Sequence, residues 1–159
     1  MAQRTARCIG ANRGDSPQRV AAITLIVVSG PLYAAFDADD RHHAQCRELL
    51  ETHRGPLLLP MLVISEVAYL IASRLGAEAE TRFLGDLAAG IFAVVPVAAS
   101  DWLRIAELVW TYRSMSLGTV DASTIALAER LKESRIATLD RRHFGVVRPA
   151  HVEAFELLP

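Results

Sequence analysis

The feature that most limits the fold of this chain is an alternation of short apolar runs with helical stretches. Ile23 to Val28 reads as a buried strand, and Pro56 to Leu59, Ile91 to Pro96 and Ile136 to Leu139 read as three more. Each is too short for a buried helix. Strands that alternate with helices form a mostly parallel central sheet flanked by helices, so an α/β fold is expected. In such sheets ligands collect at the carboxyl ends of the strands.

The helices are marked by their ends. Gly30-Pro31 opens a short one, Leu32 to Phe36, with proline in the tolerated first turn. Asp39 and Asp40 are placed to cap a second, through His53. Met61 to Leu75 is stopped by Gly76, and Ala77 to Ala89 by Gly90. Ser100 is expected to cap a helix reaching about Ser114, and Thr119 one from Val120 to Glu133. Val146-Val147 is a candidate for the last strand.

Residues 1–22 differ from the rest. They contain Gly10, Asn12, Gly14, Ser16 and Pro17 and no sustained apolar period, so they read as a flexible N-terminal extension, dispensable for folding. Residues 23–159 then form one domain, large enough for its own core. The extension carries four arginines against one aspartate, which leaves a net charge of about −4 for the domain out of −1 overall. A nucleic-acid partner would therefore meet a local basic rim rather than a basic surface.

The longest apolar stretch, 57–72, is broken by Pro60, Ser65 and Glu66 and is a poor membrane span. Cys8 and Cys46 are too few for a disulfide framework and lack metal-ligand spacing, as suits a reducing cytoplasm.

Three acids fall at suggestive places. Glu66 lies inside an apolar helix, with Leu62, Val63, Tyr69 and Leu70 three and four residues away. A carboxylate on such a face needs a compensating partner, unless it points to water at the edge of the stripe. Asp121 opens a helix, where favourable interaction with the helix dipole alone would explain it. Asp140 follows a strand, where aspartate is also a common turn former. Brought together at one sheet end, the three would make a hard oxygen site of the kind magnesium favours.

The stretches LIVVSGPLYAAFDADDRHH, LVISEVAYLIASRLG, GTVDASTIALAERL and IATLDRRHF together resemble the PIN domain, and within it the VapC toxins of bacterial toxin–antitoxin pairs. They span about Leu25 to Phe144. The resemblance implies a PIN-like fold and an endoribonuclease using Mg2+ or Mn2+. It also implies a cognate antitoxin and a homodimer. It assigns Glu66, Asp121 and Asp140 as catalytic metal ligands, with Ser29 supporting the site by hydrogen bonding. Arg141 and Arg142 become RNA-contact candidates.

One position departs from the pattern. The family carries an aspartate at the end of the first strand, and here Val28 stands before Ser29-Gly30-Pro31. Asp37, the nearest acid downstream, would lie about 10 Å further along a helix, too far to replace it. The resemblance therefore leaves two readings: an active nuclease, or an impaired PIN-fold protein that keeps antitoxin or RNA binding.

His42 and His43 are adjacent and cannot share a helix face as a metal pair. His143 reads as an RNA-side or structural residue near the site rather than a general base. Arg41 and Arg74 are further candidates for the basic rim. Trp102 and Trp110, eight residues apart on one helix, have the spacing of core or dimer-contact residues. A receiver-like phosphoacceptor domain would need an acidic pair after the first strand and a late lysine. Val28-Ser29 and Asp140-Arg141 supply neither.

Overall fold

The computed structural model describes residues 23–159, so the expectation of a flexible extension over 1–22 lies outside the described residues. Five strands form one sheet: β1 Leu25–Val27, β2 Leu57–Pro60, β3 Ala93–Val95, β4 Arg135–Ala137 and β5 Glu156–Leu158. Their order is β3-β2-β1-β4-β5 and every neighbouring pair is parallel, which is the α/β architecture expected. The helices are α1 Ser29–Phe36, α2 His43–Thr52, α3 Met61–Leu75, α4 Ala77–Ala88, α5 Asp101–Thr111, α6 Thr119–Leu131 and the single turn α7 Arg141–Phe144.

The period of two along the central strands divides the core. Leu25 and Val27 of β1, Leu57 and Leu59 of β2 and Ala137 of β4 face a cluster built with α1 to α4. Ile26, Val28 and Ile136 point the other way, into a cluster built with α5, α6 and α7. A parallel sheet buried on both faces needs such unbroken apolar runs, which is why β1 has no polar residue. β3 is an edge strand and its Ala93 and Val94 are exposed.

Several boundaries differ from the sequence expectation. Val146-Val147 is not a strand. Val147 packs into the second cluster from the coil after α7, and β5 forms ten residues later, pairing with β4. Three residues are too few for a strand period to show. Neither Ser100 nor Thr119 caps a helix through its side chain. The entry to α5 is held instead by Asp101, whose Oδ2 accepts the Ala98 N–H at 2.9 Å while both its oxygens accept from Arg130 Nε of α6. Asp40 accepts the His42 N–H in the turn before α2 rather than capping the helix itself. Trp102 and Trp110 are not core residues: they are 51% and 69% exposed, on the outer side of α5.

A second ion pair ties α5 to α6. Glu129, almost fully buried, accepts from Arg104 Nε at 2.7 Å and Nη2 at 2.9 Å, and from the Ala150 N–H at 2.8 Å. Burial alone would push its carboxyl up, but these donors outweigh it and the pKa is lowered. A lowered carboxylate pKa contributes stability above its ordinary value, and that stability is lost as pH falls through the folded value. Glu129→Gln should therefore cost about 2 kcal/mol at neutral pH, since it removes charge-assisted bonds from a buried site. In urea melts the difference from the native chain should shrink below about pH 4. An undiminished difference there would mean that the loss is packing rather than charge.

Candidate active site

The chain leaves β1, builds β2 and β3 on one side, and then returns to lay β4 on the other side of β1. The two segments leaving the carboxyl ends of β1 and β4 thus diverge, and a crevice opens between them. A cavity of about 430 Å³ lies there, lined by Val28, Ser29 and Gly30 after β1 and by Thr138, Leu139 and Asp140 after β4. Glu66 of α3, Asp121 of α6 and Phe144 of α7 complete the lining. The three acids singled out from the sequence thus share one cavity, and Val28 stands beside them.

Each acid is delivered by a different local rule. β2 runs into α3 without a linker, so Glu66 sits in the second turn of a helix that starts at the sheet end. The buried stripe of α3 is Val63, Val67 and Ile71, and Glu66 lies beside it, exposed. Tyr69 is 72% exposed as well. The apolar neighbours of Glu66 therefore do not desolvate it, and its case rests on the cavity rather than on burial.

Asp121 is in the first turn of α6, half-buried. Its pKa is raised, first by burial, with repulsion from Asp140 and Glu66 adding to it and the contact to His143 opposing it. Asp140 is the N-cap of α7: its Oδ1 accepts the Arg142 N–H at 2.8 Å and the His143 N–H at 3.1 Å. Thr138 Oγ1 accepts the Asp140 N–H at 3.0 Å and fixes the turn after β4.

His143 belongs to this cluster more closely than its sequence position suggests. Its Nδ1 is 3.0 Å from Asp121 Oδ2 and 3.0 Å from Asp140 Oδ2, and its Nε2 is 3.0 Å from the Met115 carbonyl oxygen. Nothing in the local sequence marks this, because the contact to Asp121 is made across 22 residues.

The other candidates fall elsewhere. Asp37 accepts from the Tyr33 hydroxyl and does not line the cavity. His43 bonds the Ala34 carbonyl, and the His42 ring accepts from Arg41. Arg74 lies over the Tyr33 ring, away from the cavity. Arg141 and Arg142 are exposed on α7 beside Asp140, and Arg141 donates to the Pro159 carbonyl. Ser29 is at the cavity wall in the first turn of α1.

Among the lining residues there are three carboxylates and neither lysine nor arginine. Repulsion among anions in one cavity is relieved by a divalent cation, and the donor set is of hard oxygens. The residues present therefore fit such a metal. Residues 25–148 match the PIN domain family. The chain belongs to the PIN domain family. It is 33% identical to ribonuclease VapC26 of Mycobacterium tuberculosis over 135 residues, 85% of this chain and all of that one.

PIN folds of known structure superpose on it. The Mycobacterium tuberculosis toxin VapC20, described as cleaving the sarcin–ricin loop, matches with a TM-score of 0.72 at 17% identity, over 81% of this chain and 98% of VapC20. VapBC2 of Rickettsia felis, bound to a DNA fragment from its promoter, matches at 0.61 and 12%, over 86% of this chain and 99% of that one. FitAcB of Neisseria gonorrhoeae matches at 0.59 and 14%, over 83% and 96%. These three likenesses concern the fold.

Proposed function

We propose that this chain is a divalent-metal-dependent endoribonuclease of the VapC toxin type, restrained by a cognate antitoxin. The observation that carries the reading is the meeting of Glu66, Asp121 and Asp140 in one cavity at the switch point of a PIN fold. The identity to a ribonuclease along its whole length supports the reaction class. The toxin–antitoxin assembly among the structural relatives supports the partner.

Glu66, Asp121 and Asp140 would hold Mg2+ or Mn2+, which supplies an activated water and stabilises charge on the phosphodiester. The residues of the chain do the remaining work. The carboxylates keep the cavity anionic until a cation enters. Ser29, which lines the cavity, would support the site by hydrogen bonding. Arg141 and Arg142 flank Asp140 on α7 and offer phosphate contacts in a domain that is acidic overall. Trp102, Leu103 and Trp110 lie within one arc of α5, all exposed, and supply apolar area for the homodimer that this reading includes. Among the described residues no helix is long and apolar enough to cross a membrane. The reading places the protein in the cytoplasm with its RNA.

The purified chain should cut a structured RNA pool with Mg2+ or Mn2+, stop on addition of chelator, and stop on addition of its antitoxin. Cleavage that persists in chelator would rule out the metal reading. Val28 favours one rival, a PIN-fold protein that binds antitoxin or RNA but cuts poorly: antitoxin binding without cleavage under either metal is its expected result.

A further inference from the structure

We propose that His143 is itself a metal ligand, its Nδ1 joining Asp121 and Asp140 in a site that takes borderline divalent cations such as Co2+ and Zn2+ in preference to Mg2+. The proposal rests on the metal-dependent reading above and changes its donor set.

The argument starts at Met115. A carbonyl oxygen only accepts, so the 3.0 Å contact from His143 Nε2 requires a proton on Nε2. In the neutral ring the lone pair is then on Nδ1, and the hydrogen bond on the far side fixes which nitrogen is presented. That lone pair faces Asp121 Oδ2 and Asp140 Oδ2, each at 3.0 Å. Three acceptors converging on one point repel unless a cation lies between them. A proton on Nδ1 can serve in the metal-free chain, and a metal ion serves all three at once.

The distances suit a metal. Two donors bound at right angles to one octahedral cation, each at about 2.1 Å, are about 3.0 Å apart. That is the separation of Nδ1 from each carboxylate oxygen, and all three ligand atoms lie within 4.8 Å of one another. The other oxygen of Asp140 is already committed to the backbone of α7, so Oδ2 is the one left to bind. Val28 gives this geometry a chemical consequence. Where the family has a first carboxylate, this cavity has an isopropyl group, and an imidazole nitrogen that touches Asp121 and Asp140 from behind the cavity lining makes up the donor count. Exchanging one hard oxygen for nitrogen disfavours Mg2+, which prefers oxygen and water, and moves selectivity along the series that favours Co2+ and Zn2+.

His143→Gln is the discriminating variant. The glutamine amide can still reach the Met115 carbonyl, so the fold contact is kept, but nothing replaces Nδ1. The full chain is loaded with Mn2+ and pulsed electron paramagnetic resonance is read for 14N coupling, while Co2+ and Mg2+ affinities are measured by calorimetry. The native chain should show 14N coupling and His143→Gln none. Co2+ affinity should fall at least about 10-fold in the variant, with Mg2+ affinity much less affected. Bound Mn2+ without 14N coupling in the native chain, or unchanged Co2+ affinity in the variant, overturns the proposal. RNA cleavage with Mg2+ alongside a nitrogen-free Mn2+ site would end the role of His143 and leave the nuclease reading standing. A nitrogen-coordinated Mn2+ in a chain that cuts no RNA would do the reverse, and failure to bind any metal overturns both. If His143→Gln melts early, His143→Asn gives a second test of the same coupling.

Discussion

Replacing Asp140 with asparagine is expected to lower metal-dependent RNA cleavage by about 10³-fold while leaving the fold intact. The two roles of this residue separate cleanly. As the N-cap of α7 it accepts two backbone N–H groups through Oδ1, and asparagine caps about as well as aspartate. Melting should therefore move by less than about 0.5 kcal/mol. On the proposed reading it is also a metal ligand and supplies charge through Oδ2, which an amide cannot. Losing about 4 kcal/mol of transition-state stabilisation corresponds to the stated factor. Asp140→Ala should lose the same activity and a further ~1 kcal/mol of stability, because the cap goes too. Cleavage kinetics and urea melts on the three proteins check this. Native-like cleavage by Asp140→Asn would remove Asp140 from the site and leave it a cap.

Val28→Asp is expected to act in the opposite direction, raising Mg2+-dependent cleavage by roughly 10²-fold. Val28 is 5% exposed and lines the cavity beside the acids, so a carboxylate there adds an oxygen donor at the metal. The gain should be larger with Mg2+ than with Co2+, because the added donor is hard and Mg2+ profits most from it. It should vanish when Asp121→Asn is combined with it, since both residues act on one cation. The cost is stability in the metal-free chain. The substitution takes an apolar group out of the second core cluster and adds a fourth anion to a cavity that already raises the pKa of Asp121. A native chain that already cuts at the rate of the variant would show that the site is complete without the missing acid. Gains of equal size with both metals would show that hardness is not what Val28 withholds.

Much of this protein is legible before any coordinate is known, and the reason is physical. The buried part of a parallel strand covered on both faces is apolar, so β1, β2 and the Ile136-Ala137 part of β4 announce themselves as runs in the sequence. Gly76 ends α3 at φ 85, a backbone state that disfavours a side chain, and so it marks the boundary. Asp121 and Asp140 stand out because each lies beside an element end, and Glu66 because it interrupts an apolar helix, all three in recognisable motifs.

What the sequence by itself determined is therefore local: which segments are strands or helices, and which acids interrupt them. The tertiary structure decided everything that depends on through-space distance. β5 was hidden because a three-residue edge strand carries no period of its own and forms only by pairing with β4. The entry to α5 depends on Arg130, 29 residues away, rather than on the adjacent Ser100. Glu66 proved exposed because helical neighbours in sequence do not say which face meets the sheet. The placement of His143 came from the same source. Its ring is oriented by a carbonyl 28 residues upstream and by a carboxylate 22 residues upstream. Its nitrogen reaches Asp140 within one turn of α7, but it reaches Asp121 only because the fold sets α7 against the start of α6. Sequence spacing holds no record of a contact made by folding, so the meeting of His143 with Asp121 was decided by the fold alone.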